Sequence, residues 1–335
     1  MLKEEEKFEF TINRDSDIPK YQQLVDGITN SIAENILQKG DLLPSVNVIC
    51  KTYQLSRDTV FKAYSILKEQ NVIDSVPNKG YYVAGETRKV LLVLDTFKAY
   101  KEVLYHSVVN NLPDNVIIDV QFHHYNIDVF KTIINNGIGK YYKYVVMNFD
   151  HTAIAPALSA ISNDKLLLID WNIQAGKASN YVFQDFGKAF YDSLTQAVDL
   201  FKKYKKIDFV YPDFTNHPWE TVEFFKKFCA DFNFKYEIIT DPKKFNIEKE
   251  MAYISVSDRI LGYFLEQCKE KDFEPGKDVG FLSYNETPMK KFIYKGISVV
   301  STDFKEIGTK AAAFITHDED TQCYVPTNLI LRESL

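Results

Sequence analysis

Four consecutive residues, Ser56, Arg57, Asp58 and Thr59, bring hydroxyl, guanidinium and carboxylate groups together at the predicted start of a helix. A serine there can cap the helix and can also donate a hydrogen bond to a phosphate. The arginine fork matches two phosphate oxygens or the O6 and N7 edge of a guanine. Thr59 and Lys62 are predicted to share the exposed face of this helix. The stretch therefore has the chemistry of a surface that contacts nucleic acid.

The elements that would position this stretch are three helices and a hairpin. Apolar residues at helical spacing predict a first helix over residues 21–37, and Ser45 is placed to cap a second helix over 46–53. After a short turn the third helix begins at Ser56. Residues 72–83, "VIDSVPNKGYYV", predict two short strands around a turn. In a helix-turn-helix with such a wing, the start of the last helix enters the major groove of DNA.

Residues 19–83 resemble the winged-helix domain of GntR-family transcriptional regulators. The matching motifs are P-x-Y at the start, G-D-x-L-P-S before the second helix, S-R-x-T-V into the third, A-x-x-x-L within it, and G-Y-Y-V at the end of the wing. The resemblance implies binding to double-stranded operator DNA. Together with the exposed face of the third helix, it gives these candidate DNA contacts: Ser45, Asn47, Ser56, Arg57, Thr59, Lys62, Asn78, Lys79 and Gly80.

Two positions depart from the family pattern. The position of Asn47 often holds arginine in that family, and the position of Phe61 often holds a basic residue. Asn47 can still bond to adenine or to a phosphate, but Phe61 cannot, so we expect fewer phosphate contacts and a weaker salt dependence. Residues 45–83 hold five basic and three acidic residues, which is a weak charge signal. A winged helix that binds another protein is therefore the alternative.

From residue 89 onward, short β-type runs alternate with helical patterns. Nine runs are predicted as strands: 89–95, 116–122, 143–149, 165–170, 207–212, 234–239, 252–257, 279–284 and 297–302. Alternation of this kind predicts parallel sheets covered by helices on both faces. Nine strands exceed a typical single sheet of about five to six, so two lobes fit better. The predicted domains are residues 1–83, a linker at 84–89, and residues 90–335.

Polar and aromatic residues follow most of these strands, where an open α/β sheet binds its ligand. Candidate ligand contacts from this position are Phe97, Tyr100, His123, Asp150, Trp171, Trp219, Asp258 and Asn285. Aromatic faces beside carboxylates and amides suit a sugar, because its C–H faces stack on rings and its hydroxyls need donors and acceptors. Each residue also has a structural alternative. Asp258 can cap its helix, Trp219 can pack at a helix start, and His123 can lie at a solvent edge.

Residues 252–288 are similar to the effector domain of LacI-type repressors and periplasmic sugar-binding proteins. The matching features are an Asp that begins a helix after a strand, then "EPGKDVGF", and the terminal "VPTNLILRESL". "VFQDFGKAFYDSL" resembles the segment that begins their second lobe, with Asp185 as its Asp, either a hinge or cap residue or a ligand contact. Asn285 stands where that family usually has a ligand-binding Asp. The resemblance implies lobe 1 at about 90–183 and 300–322, and lobe 2 at about 184–297 and 323–335.

Composition excludes several classes of protein. The 335 residues carry a net charge of −6, contain no apolar run long enough to span a membrane, and begin with an acidic segment, so we expect a cytoplasmic protein. The four cysteines are scattered, which argues against a zinc site or disulfides. No cofactor motif is visible. Of the enzyme alternatives, a pyridoxal phosphate domain would need about 350 residues, and only 247 remain after residue 88.

The prediction is therefore an α/β protein with an N-terminal winged helix-turn-helix and a two-lobed, periplasmic-binding-protein-like domain of parallel sheets. We expect a homodimeric regulator, a repressor of carbohydrate-utilisation genes and not an enzyme. Its effector would be a monosaccharide held between the lobes, a pentose or deoxyhexose such as arabinose or fucose. A sugar-binding protein without DNA regulation is the main alternative.

Overall fold

The computed structural model describes residues 10–16, 18–34, 36–69, 72–77, 79–84, 88–113, 115–172, 180–317 and 320–335. The chain divides into two compact units. The first runs to Arg88 and includes Pro113–Ile117, and the second comprises Lys89–Leu112 and Ile118–Leu335. The part of the predicted linker at 85–87 lies outside the described residues.

The first unit is a three-helix domain with a β-hairpin, as the sequence predicts. Its elements are α1 (Lys20–Ala33), α2 (Val46–Tyr53), α3 (Arg57–Glu69), β1 (Ile73–Val76) and β2 (Gly80–Val83), and the two strands pair antiparallel. Ile28, Ile49 and Tyr64 are fully buried at the centre. The Tyr64 hydroxyl also donates to the Pro44 carbonyl at 2.7 Å, which ties α3 to the segment before α2. The apolar faces read from the sequence thus form one core.

The first sheet of the second unit defines lobe 1. Its strands are β3 (Arg88–Leu94), β4 (Val116–Phe122), β5 (Lys143–Met147), β6 (Leu166–Asp170), β7 (Asn180–Gln184) and β13 (Gln322–Val325), in the order β13-β7-β6-β5-β3-β4. The pairs from β13 to β3 are parallel. The helices of this lobe are α4 (Ala99–Asn110), α5 (Ile127–Gly137), α6 (Ile154–Leu158) and α11 (Phe304–Thr316). A Cβ at Gly308 would lie 2.7 Å from the Leu104 carbonyl oxygen, so the contact between α4 and α11 requires glycine.

The second sheet defines lobe 2. Its strands are β8 (Lys206–Val210), β9 (Tyr236–Ile239), β10 (Met251–Ser255), β11 (Gly280–Tyr284), β12 (Ser298–Thr302) and β14 (Thr327–Ile330), in the order β14-β12-β11-β10-β8-β9. Only β14 runs antiparallel to its neighbour among the described pairs. Its helices are α7 (Lys188–Gln196), α8 (Val198–Phe201), α9 (Glu220–Asp231) and α10 (Asp258–Lys271). The core is strongly aromatic, with Phe190, Phe201, Phe209, Phe225 and Phe228 fully buried.

The described chain passes between the lobes at three places: from β7 to α7, from β12 to α11, and from β13 to β14. Two of these crossings differ from the expected lobe limits. The expectation assigned 300–302 to lobe 1, but β12 continues to pair with β14 as far as Thr302, so the whole strand belongs to lobe 2. It also assigned 323–325 to lobe 2, but β13 pairs with β7 in lobe 1.

Two further features bear on the predictions from composition. Cys229 and Cys268 are buried free thiols, and burial raises the pKa of each to about 12, while Cys50 and Cys323 are half-buried and also free. Within the described residues, the structure contains no helix with the length and apolar character needed to cross a bilayer.

Candidate functional sites

The predicted DNA-contacting residues cluster at the starts of α2 and α3. The Ser56 hydroxyl accepts from the Thr59 amide at 3.2 Å and lies 2.7 Å from the Thr59 hydroxyl, so it caps α3. The Ser45 hydroxyl caps α2 by accepting from the Val48 amide at 3.3 Å. Arg57 and Asn47 are exposed beside these caps. Hydroxyl, amide and guanidinium donors are therefore presented together at two helix N-termini, where the helix dipoles favour an anion.

The remaining members lie on α3 and on the wing. The Lys62 ammonium lies 3.9 Å from the centre of the Tyr21 ring, a cation–π contact that leaves the residue exposed. Lys79 and Gly80 are exposed at the wing tip, where Gly80 has φ +98°, a conformation that favours glycine. Asn78 lies outside the described residues. Phe61 is 42% exposed on α3 and its ring lies 6.0 Å from the Arg57 guanidinium carbon.

A cavity of about 410 Å³ separates the two lobes at the carboxyl ends of both sheets. Lobe 1 contributes residues that follow β3 and β6 or lie on α4, and lobe 2 contributes residues that follow β10 and β11 or precede α9. The polar groups that matter most for its chemistry are Asp95, Tyr100, Asp170, His217, Asp258 and Asn285. Parallel strands bring their carboxyl ends to one edge, which is why side chains far apart in sequence meet here.

Asp95 is the most heavily bonded group in the lobe 1 wall. Its carboxylate accepts hydrogen bonds from the Lys101 ammonium, the Tyr125 hydroxyl and the Thr96 amide. Asp95 and Lys101 are both buried, at 3% and 1% exposed. Burial lowers the pKa of Lys101 to about 8, and the nearby Asp170 carboxylate opposes that change. The buried charge of Asp95, which lines the cavity, is thus already compensated by these three donors.

Asp170 presents a second carboxylate. It ends β6 with φ +81°, an uncommon conformation for a residue with a side chain, and it accepts a hydrogen bond from the Gln184 amide. Burial raises its pKa, while Lys101 and the Gln184 hydrogen bond oppose that rise. Trp171 follows it directly, half-buried, with its ring centre 6.3 Å from that of Phe186. A carboxylate and an indole therefore lie side by side on this wall.

The lobe 2 wall is organised by a buried lysine. Lys290 is 2% exposed, and its ammonium lies 2.7 Å from an Asp258 carboxylate oxygen and donates to the Asn285 and Tyr284 carbonyls at 2.6 and 2.9 Å. Asn285 has φ +62°, and its backbone N–H donates to the Val300 carbonyl at 2.8 Å. Its side-chain oxygen is buried and makes no hydrogen bond to any described residue. That oxygen is a buried polar group next to the cavity, and such groups normally find partners.

Aromatic rings complete the cavity. His217 packs with its ring centre 4.5 Å from that of Tyr284, and its Nε2 lies 2.9 Å from the Thr221 hydroxyl. Burial, together with the Lys98 charge, lowers the pKa of His217 to about 3, so this imidazole is neutral near pH 7. The Arg259 guanidinium carbon lies 4.4 Å from the centre of the Phe214 ring. No group of three or more His, Cys, Asp or Glu side chains in the described chain is placed to hold a metal ion.

The structure brings four of the nine predicted ligand contacts to this cavity: Tyr100, Trp171, Asp258 and Asn285. The other five do not line it. His123 is fully buried behind it, with Nε2 3.1 Å from the Met147 carbonyl oxygen. The Asp185 carboxylate accepts from the Gly187 amide at 3.0 Å at the start of α7. Phe97 packs edge-on to Phe122, Trp219 packs edge-on to Tyr211, and Asp150 is exposed.

The sequence analysis missed two carboxylates because it considered only the residues that follow each predicted strand and not the last residue of the strand. Asp95 and Asp170 are the last residues of the runs "KVLLVLD" and "KLLLID", and an acidic residue that ends an apolar run was the available signal. Gln184 was missed because β7 was not predicted. His217 gave no signal, since it reaches the cavity from the loop before α9.

Comparison with solved structures identifies the fold of the second unit. The trehalose repressor from Escherichia coli superposes with a TM-score of 0.63 at 14% identity, covering 73% of this chain and 100% of that chain. The transcription regulator CcpA of Lactococcus lactis gives 0.61 at 14%, covering 74% and 99%. A LacI family regulator from Enterococcus faecium, solved with bound ribose, gives 0.60 at 12%, covering 74% and 98%. The second unit therefore has the two-lobed fold of LacI-type repressors.

Comparison of sequences identifies the first unit. Residues 20–83 match the family described as bacterial regulatory proteins, gntR family. The HTH-type transcriptional repressor YtrA of Bacillus subtilis is 28% identical over 95 residues, which are 28% of this chain and 72% of that protein. The mannosyl-D-glycerate transport/metabolism system repressor MngR of Escherichia coli is 37% identical over 68 residues, 20% and 28% of the two chains.

The match to the first curated relatives is confined to this domain. The regulators YcxD of Bacillus subtilis and YdcR of Escherichia coli are 36% and 41% identical, but the chain spans only 16% and 15% of their lengths. The chain thus joins a GntR-type winged helix-turn-helix domain to a LacI-type two-lobed domain, and the resemblances read from the sequence are confirmed for both parts.

Proposed function

We propose that this protein is a transcriptional regulator whose affinity for operator DNA is set by a monosaccharide bound between its lobes. The observation that carries the proposal is the cavity in the second unit, joined in one chain to a GntR-type domain. Its volume falls within the range of small-ligand sites. We infer that the protein acts as a homodimer in the cytoplasm and represses genes of carbohydrate use.

The chemistry of the cavity favours a sugar. The Asp170 carboxylate and the Asn285 oxygen can accept hydrogen bonds from neighbouring hydroxyls, and Asp258 adds a third acceptor. Trp171, which is half-buried at the cavity wall, offers a ring face for the C–H groups of a pyranose or furanose. Because His217 is neutral, the interior adds no positive charge at that position.

An uncharged sugar fits better than a sugar phosphate. Asp95 is paired with Lys101 and Asp258 with Lys290, so both buried ammonium groups are already engaged. A phosphate in the interior would lie close to the Asp170 carboxylate, and like charges at short range in a buried site are costly; Lys98 and Arg259, which also line the cavity, are the cations that would oppose this cost. This favours a pentose or deoxyhexose such as arabinose or fucose. LacI family regulators of this fold have been solved with ribose, a monosaccharide, and with lactose, a disaccharide, which supports a free sugar as the ligand class.

The test is isothermal titration of the full-length protein with L-arabinose, L-fucose, D-ribose and ribose 5-phosphate. We expect one free sugar to bind and the phosphate ester to fail. Gel shifts on the promoter next to its own gene should then show weaker DNA binding with that sugar. A protein that binds phosphorylated sugars only, or whose operator affinity no sugar changes, would contradict the proposal.

A further inference from the structure

Three buried polar side chains occupy the three crossings between the lobes. Gln184 ends β7, Thr302 ends β12 and Thr327 begins β14, and their exposed fractions are 4%, 3% and 4%. Each lies at a point where the chain must bend if the lobes open or close. Polar side chains so deeply buried are expected to be hydrogen-bonded, and these are bonded to one another.

The bonds form a continuous chain. The Thr302 hydroxyl donates to the Gln184 side-chain oxygen at 2.8 Å and lies 3.0 Å from the Thr327 hydroxyl oxygen. The Thr327 hydroxyl donates to the Asp185 carbonyl at 3.0 Å, which returns the chain to the first crossing. All three crossings are therefore tied together by side-chain hydrogen bonds.

The other end of this chain reaches the cavity. The Gln184 amide nitrogen donates to the Asp170 carboxylate. A carboxylate only accepts hydrogen bonds, so the orientation of the Gln184 amide is set, with its nitrogen toward Asp170 and its oxygen toward Thr302. Asp170 lines the cavity and is held at φ +81°. A group in contact with ligand is thus connected to the hinge through one amide.

Counting protons shows that this arrangement has two states. The single Thr302 proton is used on Gln184, so the single Thr327 proton faces two acceptors, the Thr302 oxygen and the Asp185 carbonyl. If the Gln184 amide turned over, its nitrogen would donate to Thr302. Thr302 could then donate to Thr327, and Thr327 to Asp185, so that the Thr302, Thr327 and Asp185 oxygens would each have a donor, while the Gln184 oxygen would turn toward Asp170 and need a donor from the ligand.

We propose that Gln184 is a positioning residue that couples the Asp170 carboxylate to the three crossings, so that a ligand hydroxyl bound to Asp170 changes the hydrogen bonding of the hinge. This inference rests on the proposed function and names the residue that would connect the ligand site to the hinge. A hydroxyl that donates to Oδ1 of Asp170, the oxygen that Gln184 uses, competes with the Gln184 amide for it. Released from it, the amide turns over and the crossings gain a complete set of hydrogen bonds.

The first experiment cuts the chain without touching the cavity. Thr302→Val removes the hydroxyl but keeps the shape, and hydrogen–deuterium exchange of the ligand-free protein then reports on the crossings. We expect the amides of Val325 and Thr327 to exchange about fivefold faster, the change in equilibrium that one net hydrogen bond gives. Thr316→Val is the control, because that hydroxyl donates within its own helix. Faster exchange near residue 302 alone would overturn the proposal.

The second experiment perturbs the cavity end. Asp170→Asn removes the charge that holds the Gln184 nitrogen, so the amide can turn over and complete the hydrogen bonds of the crossings, and exchange at Thr327 should slow by about two- to fivefold. In the Thr302→Val background it should have no further effect there, because the connection is already cut. Asp150→Asn, an exposed acid outside the cavity, is the control. Equal effects of Asp170→Asn in both backgrounds would show that Gln184 and Thr302 carry no coupling.

The conservative change Thr302→Ser distinguishes coupling through the hydrogen bond from a structural role alone. It restores a hydroxyl and should therefore restore wild-type exchange at Thr327. If Thr302→Val does not fold, Thr302→Ser combined with Gln184→Met provides the same comparison from the other side of the bond. None of these measurements needs a sugar, so their failure would leave the proposed function standing. Failure of every sugar to bind would leave the exchange result unchanged.

Discussion

Individual residues in the cavity show how buried charge is handled. Lys101 with Asp95 and Lys290 with Asp258 are pairs in which at least one partner is nearly inaccessible to water. Removing one partner of such a pair leaves an uncompensated charge, which costs far more than the pair contributes. Asn285 is different, because its buried side-chain oxygen is uncharged and has no hydrogen-bond partner among the described residues, so its removal leaves no uncompensated charge. It is the residue at which ligand binding can be tested with the least damage to the fold.

Asn285→Gly should weaken sugar binding by about 10- to 100-fold, the cost of one lost hydrogen bond in a buried site. Glycine is preferred to alanine because the backbone has φ +62° there, so the fold is retained. Titration calorimetry measures the sugar affinity, and gel shifts without sugar measure operator binding, which should be unchanged. Asn135→Ala on the exposed face of α5 is the control. Lost operator binding with intact sugar binding would refute the site.

Because of His123, the free energy of unfolding is predicted to fall as the pH is lowered. Burial lowers its pKa to about 4, whereas an unfolded histidine titrates at about 6.5. The unfolded chain therefore binds a proton that the folded chain rejects, and the fold loses stability as pH drops below about 6.5. Between pH 7 and pH 5 this histidine should account for about 2 kcal/mol of the decline in unfolding free energy. Urea denaturation at both pH values measures it.

The comparison is His123→Asn against His106→Asn. The first removes the buried imidazole and should reduce the pH dependence but not abolish it, because buried His217 contributes in the same direction. It lowers stability at pH 7 as well, because the Met147 carbonyl and the Tyr125 amide lose their partner. The second removes an exposed imidazole and should leave the slope as it is. An unchanged slope in His123→Asn would show that another group is responsible.

At the scale of elements, the winged helix was predictable because its signals are local. Caps at Ser45 and Ser56 and the turn at Gly80 act within a few residues of sequence. The strands of the second unit were predictable where they are buried on both faces, as in β5 and β10. β7 and β13 were missed, because "NYVFQ" and "QCYV" are short and mixed in polarity. They become strands through pairing in the sheet, β13 with β7 and β7 also with β6.

The start of α3 is the element that should decide operator binding. Arg57→Ala should cost about 1–3 kcal/mol in operator affinity and leave sugar affinity unchanged, because it removes one guanidinium contact and touches no cavity residue. Fluorescence anisotropy with labelled operator DNA measures the first, and calorimetry the second. Lys39→Ala removes a positive charge from the turn after α1 and serves as the control for charge alone. If both variants lose the same affinity, Arg57 makes no specific contact.

At the scale of the whole molecule, sequence reasoning gave the number of lobes but located their limits imperfectly. The crossings fall at strand ends, and a strand end is set by how far its neighbours continue to pair, as at Thr302. Five of the nine predicted ligand residues do not line the cavity, and two of them show a related reason. Phe97 and Trp219 lie on the right loops, but the direction of each side chain is decided by aromatic neighbours such as Phe122 and Tyr211.

Closure of the lobes on a sugar can be followed with the two tryptophans. Trp171 lines the cavity and Trp219 is 46% exposed outside it, so their substitution makes a matched pair. We expect the bound sugar to change the tryptophan emission of Trp219→Phe as it does that of the wild type, and to have no effect on Trp171→Phe. The signal should saturate with the sugar affinity measured by calorimetry. A response that survives Trp171→Phe and is lost in Trp219→Phe would move the site.

The interleaved path of the chain has a consequence for biosynthesis. Each sheet takes an edge strand from residues 322–330, β13 on one side of Pro326 and β14 on the other. During translation both sheets therefore stay incomplete until this segment has been made. A nascent chain that stops short of residue 322 would expose an open edge on both sheets at once, and such edges invite pairing with a second chain.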